Sequence, residues 1–503
     1  MTIRRALLAL LLCLPACGER SPTTFLSREK LMDPMSCAEC HAEHYKDWSG
    51  SMHAYAAEDP VFLAMNQRGQ RETGGKLGDF CVKCHAPLAV AAGLTKDGLN
   101  LGSVPKHLKG VTCYFCHNIA SVEGAHNNPL VVANDTTIRG PLADPVNNTA
   151  HASAYSPLHD RDEADSASLC GSCHDIVTPK GAFIERSFDE WHRSVFSMIK
   201  GATCGQCHMP QSRDLRPIAK APGVFARRYH GHQFAGVDVA LTPFPETEAQ
   251  RGSIQSFLEN STQTALCVLS RGTNAGVRVI IDAVGVGHSL PSGSSQDRRL
   301  WTEVIAYKDG QVLYQSGVLP PSGKITEADA DAWILRDRML DDAGKEVHMF
   351  WEAACYESQT LPAQTTFDTR NPDFFKTHKV QSFPRGDFTK TFAGVPDRVT
   401  LRLRMQPIGR DVLDDLVASG DLDPAVRDAM PIHDLVIGHQ ALPTGETKAL
   451  TTLEWTPTLG TDPVVGFPYS EQGIPVTCVT QSNLNKSAEK YAPEITTSCP
   501  ARP

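Results

Sequence analysis

Cys37-Ala-Glu-Cys40-His41 is the first of five copies of one pattern. Cys81-Val-Lys-Cys84-His85, Cys113-Tyr-Phe-Cys116-His117, Cys170-Gly-Ser-Cys173-His174 and Cys204-Gly-Gln-Cys207-His208 follow. Cys-x-x-Cys-His is the attachment signature of c-type haem. Two cysteines three apart reach the two vinyl groups of one porphyrin, and the next histidine falls under the iron as proximal ligand. With 16 Cys and 19 His in 503 residues, chance supplies about 0.02 matches. A zinc ribbon has no need of a histidine after every pair, and a thioredoxin-like redox pair would occur once.

The spacing of the motifs decides the fold of this half. All five lie within residues 37–208, so each haem has little polypeptide of its own. Such a chain cannot enclose five porphyrins separately. The haems must supply much of the core, packed closely enough for electrons to hop, between short helices and loops. Five covalent haem c groups are therefore expected.

The sixth ligand of each iron separates electron transfer from catalysis, because an open position lets a substrate bind. His53, which ends Trp48-Ser49-Gly50-Ser51-Met52-His53, is the leading distal candidate. The same frame recurs at Trp191-His192-Arg193-Ser194-Val195-Phe196, with Phe196 in the ligand slot. His151 and His159 lie in a segment that Pro141, Pro145 and Pro157 keep from continuous helix. Of His230 and His232, the latter is preferred. His288 lies far downstream in Gly287-His288-Ser289-Leu290-Pro291-Ser292-Gly293, a shaped turn that could push an imidazole from a β-region towards a haem. His44, His107 and His126 are reserves. Met209 adjoins its own proximal histidine and cannot reach across the ring, so it reads as packing.

From about residue 255 the pattern changes. Strand-like runs are Val277–Val284, Leu300–Tyr307, Gln311–Leu319, Val347–Glu352, Arg398–Met405 and Lys448–Trp455, with turns at Asp309-Gly310 and Ala343-Gly344. Arg410–Ser419 reads as a short helix and Thr360–Phe392 as a long polar loop. The expected fold is α+β: a haem-packed, short-helix and loop domain over 37–254, then an antiparallel β-sandwich-like domain over 255–503. Cys267, Cys355, Cys478 and Cys499 read as disulfides with three pairings open.

The N-terminus reads as an export signal. Met1–Arg5 carries two arginines and Ala6–Leu14 is apolar but too short to span a bilayer. Leu14-Pro15-Ala16-Cys17 has the layout of a lipobox, with proline at its second position as a departure. The reading is a signal peptide over 1–16, lipidation at Cys17 and a linker over 17–36. Gly18 is not the aspartate that usually retains bacterial lipoproteins in the inner membrane, so the resemblance to such lipoproteins implies an outer-membrane anchor and a periplasmic or cell-surface protein. The net charge of -9 argues against a nucleic-acid partner. Within residues 37–208, Lys and Arg number 14 and Asp and Glu 19, which points to docking on a basic face of redox partners.

The chain resembles the exported multihaem cytochromes c related to the tetrahaem cytochrome of ammonia oxidisers and to hydroxylamine oxidoreductase. The matching stretches are Trp48–His53, Gly110-Val111-Thr112-Cys113, Arg139-Gly140-Pro141 with His151, Cys170–Asp175, Phe188–Trp191 with Ser194, and Cys204–Pro210. The Gly287–Gly293 turn is similar to one in relatives with a β-domain. The resemblance covers 37–300 well and the rest thinly. It implies mostly bis-histidine haems in close pairs and supports His53, His151, His232 and His288. No Cys-x-x-Cys-Lys occurs, the haems are too few for octahaem enzymes, and no counterpart of their cross-linking tyrosine is visible.

An electron carrier is thus the leading expectation, with no catalytic residue. Its first rival is a reductase or oxidase of a small nitrogen or sulfur oxyanion at a five-coordinate haem. Its second is an electron-input subunit of a larger respiratory complex.

Overall fold

The computed structural model describes residues 25–146, 148–199, 202–325, 329–368, 370–386 and 389–457, with short pieces at 465–466, 470–471, 474–475 and 496–500. The expected signal peptide, the lipidation site Cys17 and Cys478 lie outside the described residues. The fold is mixed α+β, with helices and many antiparallel sheets.

The motif-bearing half is built from short helices and strands between one Cys-x-x-Cys-His motif and the next. The motifs lie in or beside turns of helix such as Val82–His85, Cys113–His117 and Cys204–His208. Thr112 and Thr203 each precede a motif and cap its helix, accepting the amides of Phe115 and Gln206. The longest helix here, Pro60–Glu72, starts at proline and is capped by Asp59, which accepts the Val61 amide.

Two large sheets dominate the second half. One has the strand order His378–Phe383, Asn274–Ala283, Thr262–Arg271, Val465–Gly466, with Phe392–Ala393 also on Asn274–Ala283. The other runs Gln311–Ser316, Arg299–Lys308, Arg398–Gln406, His433–Asp434. The Arg398–Gln406 strand alternates perfectly, turning Val399, Leu401, Leu403 and Met405 inward. Those side chains share one core with Leu266, Val268, Val277, Val279 and Ile281 of the first sheet. The Asp309-Gly310 turn has positive φ at both residues (49° and 77°), the geometry that matches strand twist in a two-residue hairpin.

Several sequence expectations need correction here. The strand Thr262–Arg271 was not anticipated, although it pairs along its whole length with Asn274–Ala283. Thr360–Phe392 is not all loop, since His378–Phe383 forms an edge strand. Val347–Glu352 is not one strand: Glu346–Val347 pairs briefly, then Phe350–Glu352 turns into a 3-10 helix. The reason is packing, because Trp351 buries against the helix Pro60–Glu72 together with Val61, Met65, Val412 and Leu416. Lys448–Trp455 is likewise broken into Thr447–Leu450 and Leu453–Trp455. The helix Thr247–Leu258 runs across residues 254 and 255, and its Ile254 and Leu258 enter the sheet core. Cys355 and Cys499 are disulfide-bonded, and Cys267 is disulfide-bonded too.

Candidate haem-binding site

The ten motif cysteines are free of disulfides. Motifs remote in sequence adjoin in space. Cys37 lies against Cys113, Cys84 against Cys173, and Cys170 against Cys204, with Cys116 also close to Cys170. The first site therefore neighbours the third, and the fourth neighbours the second, third and fifth.

Four motif histidines are oriented in one way. Their Nδ1–H donates to a backbone carbonyl: His41 to Ile218 (3.2 Å), His85 to Ala56 (2.9 Å), His117 to Arg139 (2.6 Å) and His208 to Ala235 (2.8 Å). Such a bond fixes the ring and leaves Nε2 with its lone pair for a metal. The candidate partners repeat the device. His232 Nδ1–H donates to His230 O at 2.9 Å, His288 to Ser289 O at 2.8 Å and His151 to Ala152 O at 3.1 Å.

Three of the five distal candidates face a motif histidine. Ring centroids are 6.2 Å apart for His53 and His174, 6.4 Å for His117 and His232, and 6.2 Å for His208 and His288. Two imidazoles on opposite sides of one iron, each with a metal–nitrogen bond of about 2 Å, need centroids roughly 6 Å apart. The residues present therefore fit haem c. Burial pushes His53 down to about 3, with His174 and other imidazoles adding to it. Burial likewise pushes His208 and His232 down to about 4, helped by His288 and His117 respectively. These rings are neutral at pH 7, as metal ligation requires.

The other two candidates are placed differently. Burial lowers His41, and His151 lies close enough to lower it further. His159 stacks 5.5 Å from His117, but its Nε2–H donates to Cys116 O at 2.6 Å and its Nδ1 bonds Ser156 Oγ at 2.9 Å. Neither nitrogen is left for iron. Among the described residues, no imidazole stands across from His85 at the spacing of the three pairs. Its ring contact is Phe62, stacked at 4.0 Å and nearly parallel.

The Trp–Ser frame is visible in the hydrogen bonds. Trp48 Nε1–H donates to Val111 O at 2.7 Å, two residues before Cys113, and Ser51 Oγ–H donates to Trp48 O. Trp191 Nε1–H donates to Ala202 O at 2.8 Å, two residues before Cys204, and Ser194 Oγ–H donates to Trp191 O. In the first copy Val111 N–H returns to His53 O at 2.8 Å. That close approach needs Gly110, where a Cβ would sit 2.6 Å from His53 O.

Sequence reasoning missed the residues that hold the candidate distal rings. Asp47 accepts the His232 amide (3.0 Å), the Tyr229 hydroxyl (2.6 Å) and Gln233 Nε2 (2.9 Å). Glu190 and Ser187 grip the His288 turn: Glu190 Oε2 accepts Ser289 N–H and the Ser292 hydroxyl, and Ser187 Oγ accepts Gly293 N–H. The stretch Phe188–Trp191 carries Glu190, but nothing in the local sequence points to the distant turn it grips.

Comparison with known proteins finds similarity to multihaem cytochromes. The family described as cytochrome c554 and c-prime matches residues 36–118. The C-type polyheme cytochrome OmcB of Geobacter sulfurreducens, in two strains, is 28% identical over 169 residues. That is 32% of this chain and 18% of the relative, so the match spans under a fifth of OmcB. The crystal structure of a penta-heme cytochrome c552 from Thermochromatium tepidum superposes with a TM-score of 0.55 at 18% identity, covering 87% of this chain and all of that one. These findings support a multihaem c-type cytochrome with a role in electron transfer.

Proposed function

We propose that this protein carries electrons through five covalently bound haem c groups, attached at Cys37/Cys40, Cys81/Cys84, Cys113/Cys116, Cys170/Cys173 and Cys204/Cys207. When bound, each haem supplies a one-electron ferric/ferrous couple. The proximal ligands are His41, His85, His117, His174 and His208. His232 serves the third site, His53 the fourth, His288 the fifth and His151 the first. The observation that carries this reading is the set of three imidazole pairs at 6.2–6.4 Å. The adjoining cysteines support a branched route in which the fourth site meets three others. The chain's own work is to fix each ring and keep water from the irons.

The test is haem content and spin state. Intact-mass measurement and a pyridine haemochrome assay should give five haems per chain, and the ferric spectrum should be mainly low-spin. A zinc-bearing or colourless product, after expression with a cytochrome maturation system, overturns the reading.

A second reading draws on His85. An iron there without a distal imidazole would be five-coordinate and open to a small nitrogen or sulfur oxyanion. A high-spin signal of one site, shifted by nitrite or sulfite, supports it. Export with a lipid on Cys17, towards the periplasm or outer membrane, is also proposed. Among the described residues no helix is long and apolar enough to cross a membrane. Loss of membrane association in Cys17→Ser tests the anchor.

A further inference from the structure

The strands Gln211–Pro217 and Ala226–His230 follow directly on the fifth motif and, among the described residues, pair with no strand but each other. Their charge runs against the rest of the molecule. Residues 211–230 contain Arg213, Arg216, Lys220, Arg227 and Arg228 against Asp214 alone, in a chain of net charge -9. Two of these cations are neutralised: Arg216 pairs with Glu43 at 2.9 Å and lies over the Tyr229 ring, and Arg227 pairs with Asp144 at 2.8 Å. Arg213, Lys220 and Arg228 are exposed and make no ion pair among the described residues. Arg228 donates to Gln211 Oε1, a neutral oxygen.

The pleat sorts the side chains. Leu215 stands opposite Arg228 and Pro217 opposite Ala226, so these four share one face, and all four are exposed. Arg216, Arg227 and Tyr229 occupy the other face, towards the protein. Leu215 is 66% exposed and Phe225 67%. Large apolar side chains in water beside unpaired cations do nothing for a two-stranded ribbon's own stability; they suit a transient protein interface.

The same hairpin holds the first site. Ile218 O accepts the Nδ1–H of His41, and Lys220 N–H donates to Cys40 O at 2.8 Å. A protein seated on the hairpin is thereby brought beside that site, whereas a lipid surface would gain nothing from this contact. We infer that the exposed side of the hairpin, with Leu215 and Arg228 on its outer face and the exposed Arg213, Lys220 and Phe225 of the same segment, docks an acidic one-electron carrier protein that exchanges electrons at the first site. This rests on the haem reading. One electron leaves the carrier's reduced centre and takes one iron from ferric to ferrous, and no bond forms or breaks. Electron-transfer encounters use small interfaces, which suits a patch of this size.

The experiment uses the haem-loaded full chain and stopped-flow reduction by photoreduced [2Fe–2S] ferredoxin, a small acidic carrier. Haem content is measured first; a haem-free product overturns the haem reading and the docking site with it. In the triple variant Arg213→Glu/Lys220→Glu/Arg228→Glu, the second-order rate at low salt should fall about tenfold or more. The difference should close at about 0.5 M salt, where surface charges are screened. Reduction by dithionite and the ferric spectrum should be unchanged. Leu215→Ser/Phe225→Ser should slow the reaction without changing its salt slope. Equal low-salt rates for wild type and the triple variant overturn the proposal. So does a triple variant that loses only its binding to phosphatidylglycerol vesicles, a result that assigns the face to a membrane.

Discussion

Glu190 Oε2 accepts the Ser292 hydroxyl at 2.7 Å, so a carboxylate between the fourth and fifth motifs grips the turn that carries His288. The same oxygen accepts Ser289 N–H at 3.1 Å, and Arg186 pairs with both Glu190 and Asp337. The ring facing His208 is thus aimed by a helix of the motif-bearing half, although it is presented by the sheet half.

Removing that grip should loosen His288. Glu190→Ala leaves a buried amide unsatisfied, at a cost of about 1–3 kcal/mol. A high-spin ferric fraction should appear in the electron paramagnetic resonance spectrum. Glu190→Gln keeps an acceptor and should stay low-spin. Equal spectra for Glu190→Ala and wild type would assign the carboxylate a merely structural role.

The distal assignments separate by single substitutions. His53→Ala, His232→Ala and His288→Ala should each convert one low-spin site to high-spin, because each ring stands roughly 6 Å from a motif imidazole. His159→Ala should leave the spin state unchanged, because both ring nitrogens are hydrogen-bonded to protein. Magnetic circular dichroism of the ferric protein reads the count.

Gly110→Ala should destabilise the protein by about 1–3 kcal/mol. Gly110 has φ +73°, and a Cβ there would press on the carbonyls of His53 and Ala54 at 2.6 and 2.7 Å. Thermal melting should show a lower Tm, and the strain falls on the segment that holds His53.

Asp297 should make stability pH-dependent. Burial pushes its carboxyl up to about 7, with Glu185 adding to it against Arg299 and Arg298. A folded-state value above the unfolded value of about 3.9 favours the protonated form in the native state. Its contribution is complete below pH 4 and is lost as pH rises to about 7. Denaturant melts of Asp297→Asn across pH 4–8 should show that loss abolished.

The candidate attachment sites were legible because the chemistry they imply is local: five residues in a row supply both cysteines and the expected ligand. The Trp–Ser frame was legible too, since Trp48 and Trp191 reach the same position before Cys113 and Cys204. The alternating strand Arg398–Gln406 announced itself by period. Thr262–Arg271 did not, because it is buried on both faces over most of its length and lacks alternation. Among the histidines, His159 and His232 look alike in sequence; only the positions of Cys116 O and Ser156 Oγ set them apart.

By itself the amino-acid order marked five Cys-x-x-Cys-His pentapeptides as the expected attachment sites, each with its adjacent histidine as the expected proximal ligand, because covalent reach over three or four residues is a local property. The tertiary structure alone decided which ring faces which: His53 meets His174 and not a nearer motif, and His288 meets His208 from the turn that follows the strand Asn274–Ala283. Those pairings depend on how distant segments pack, through Asp47, Gly110 and Glu190, and no local pattern encodes the relative position of two segments joined by a long chain.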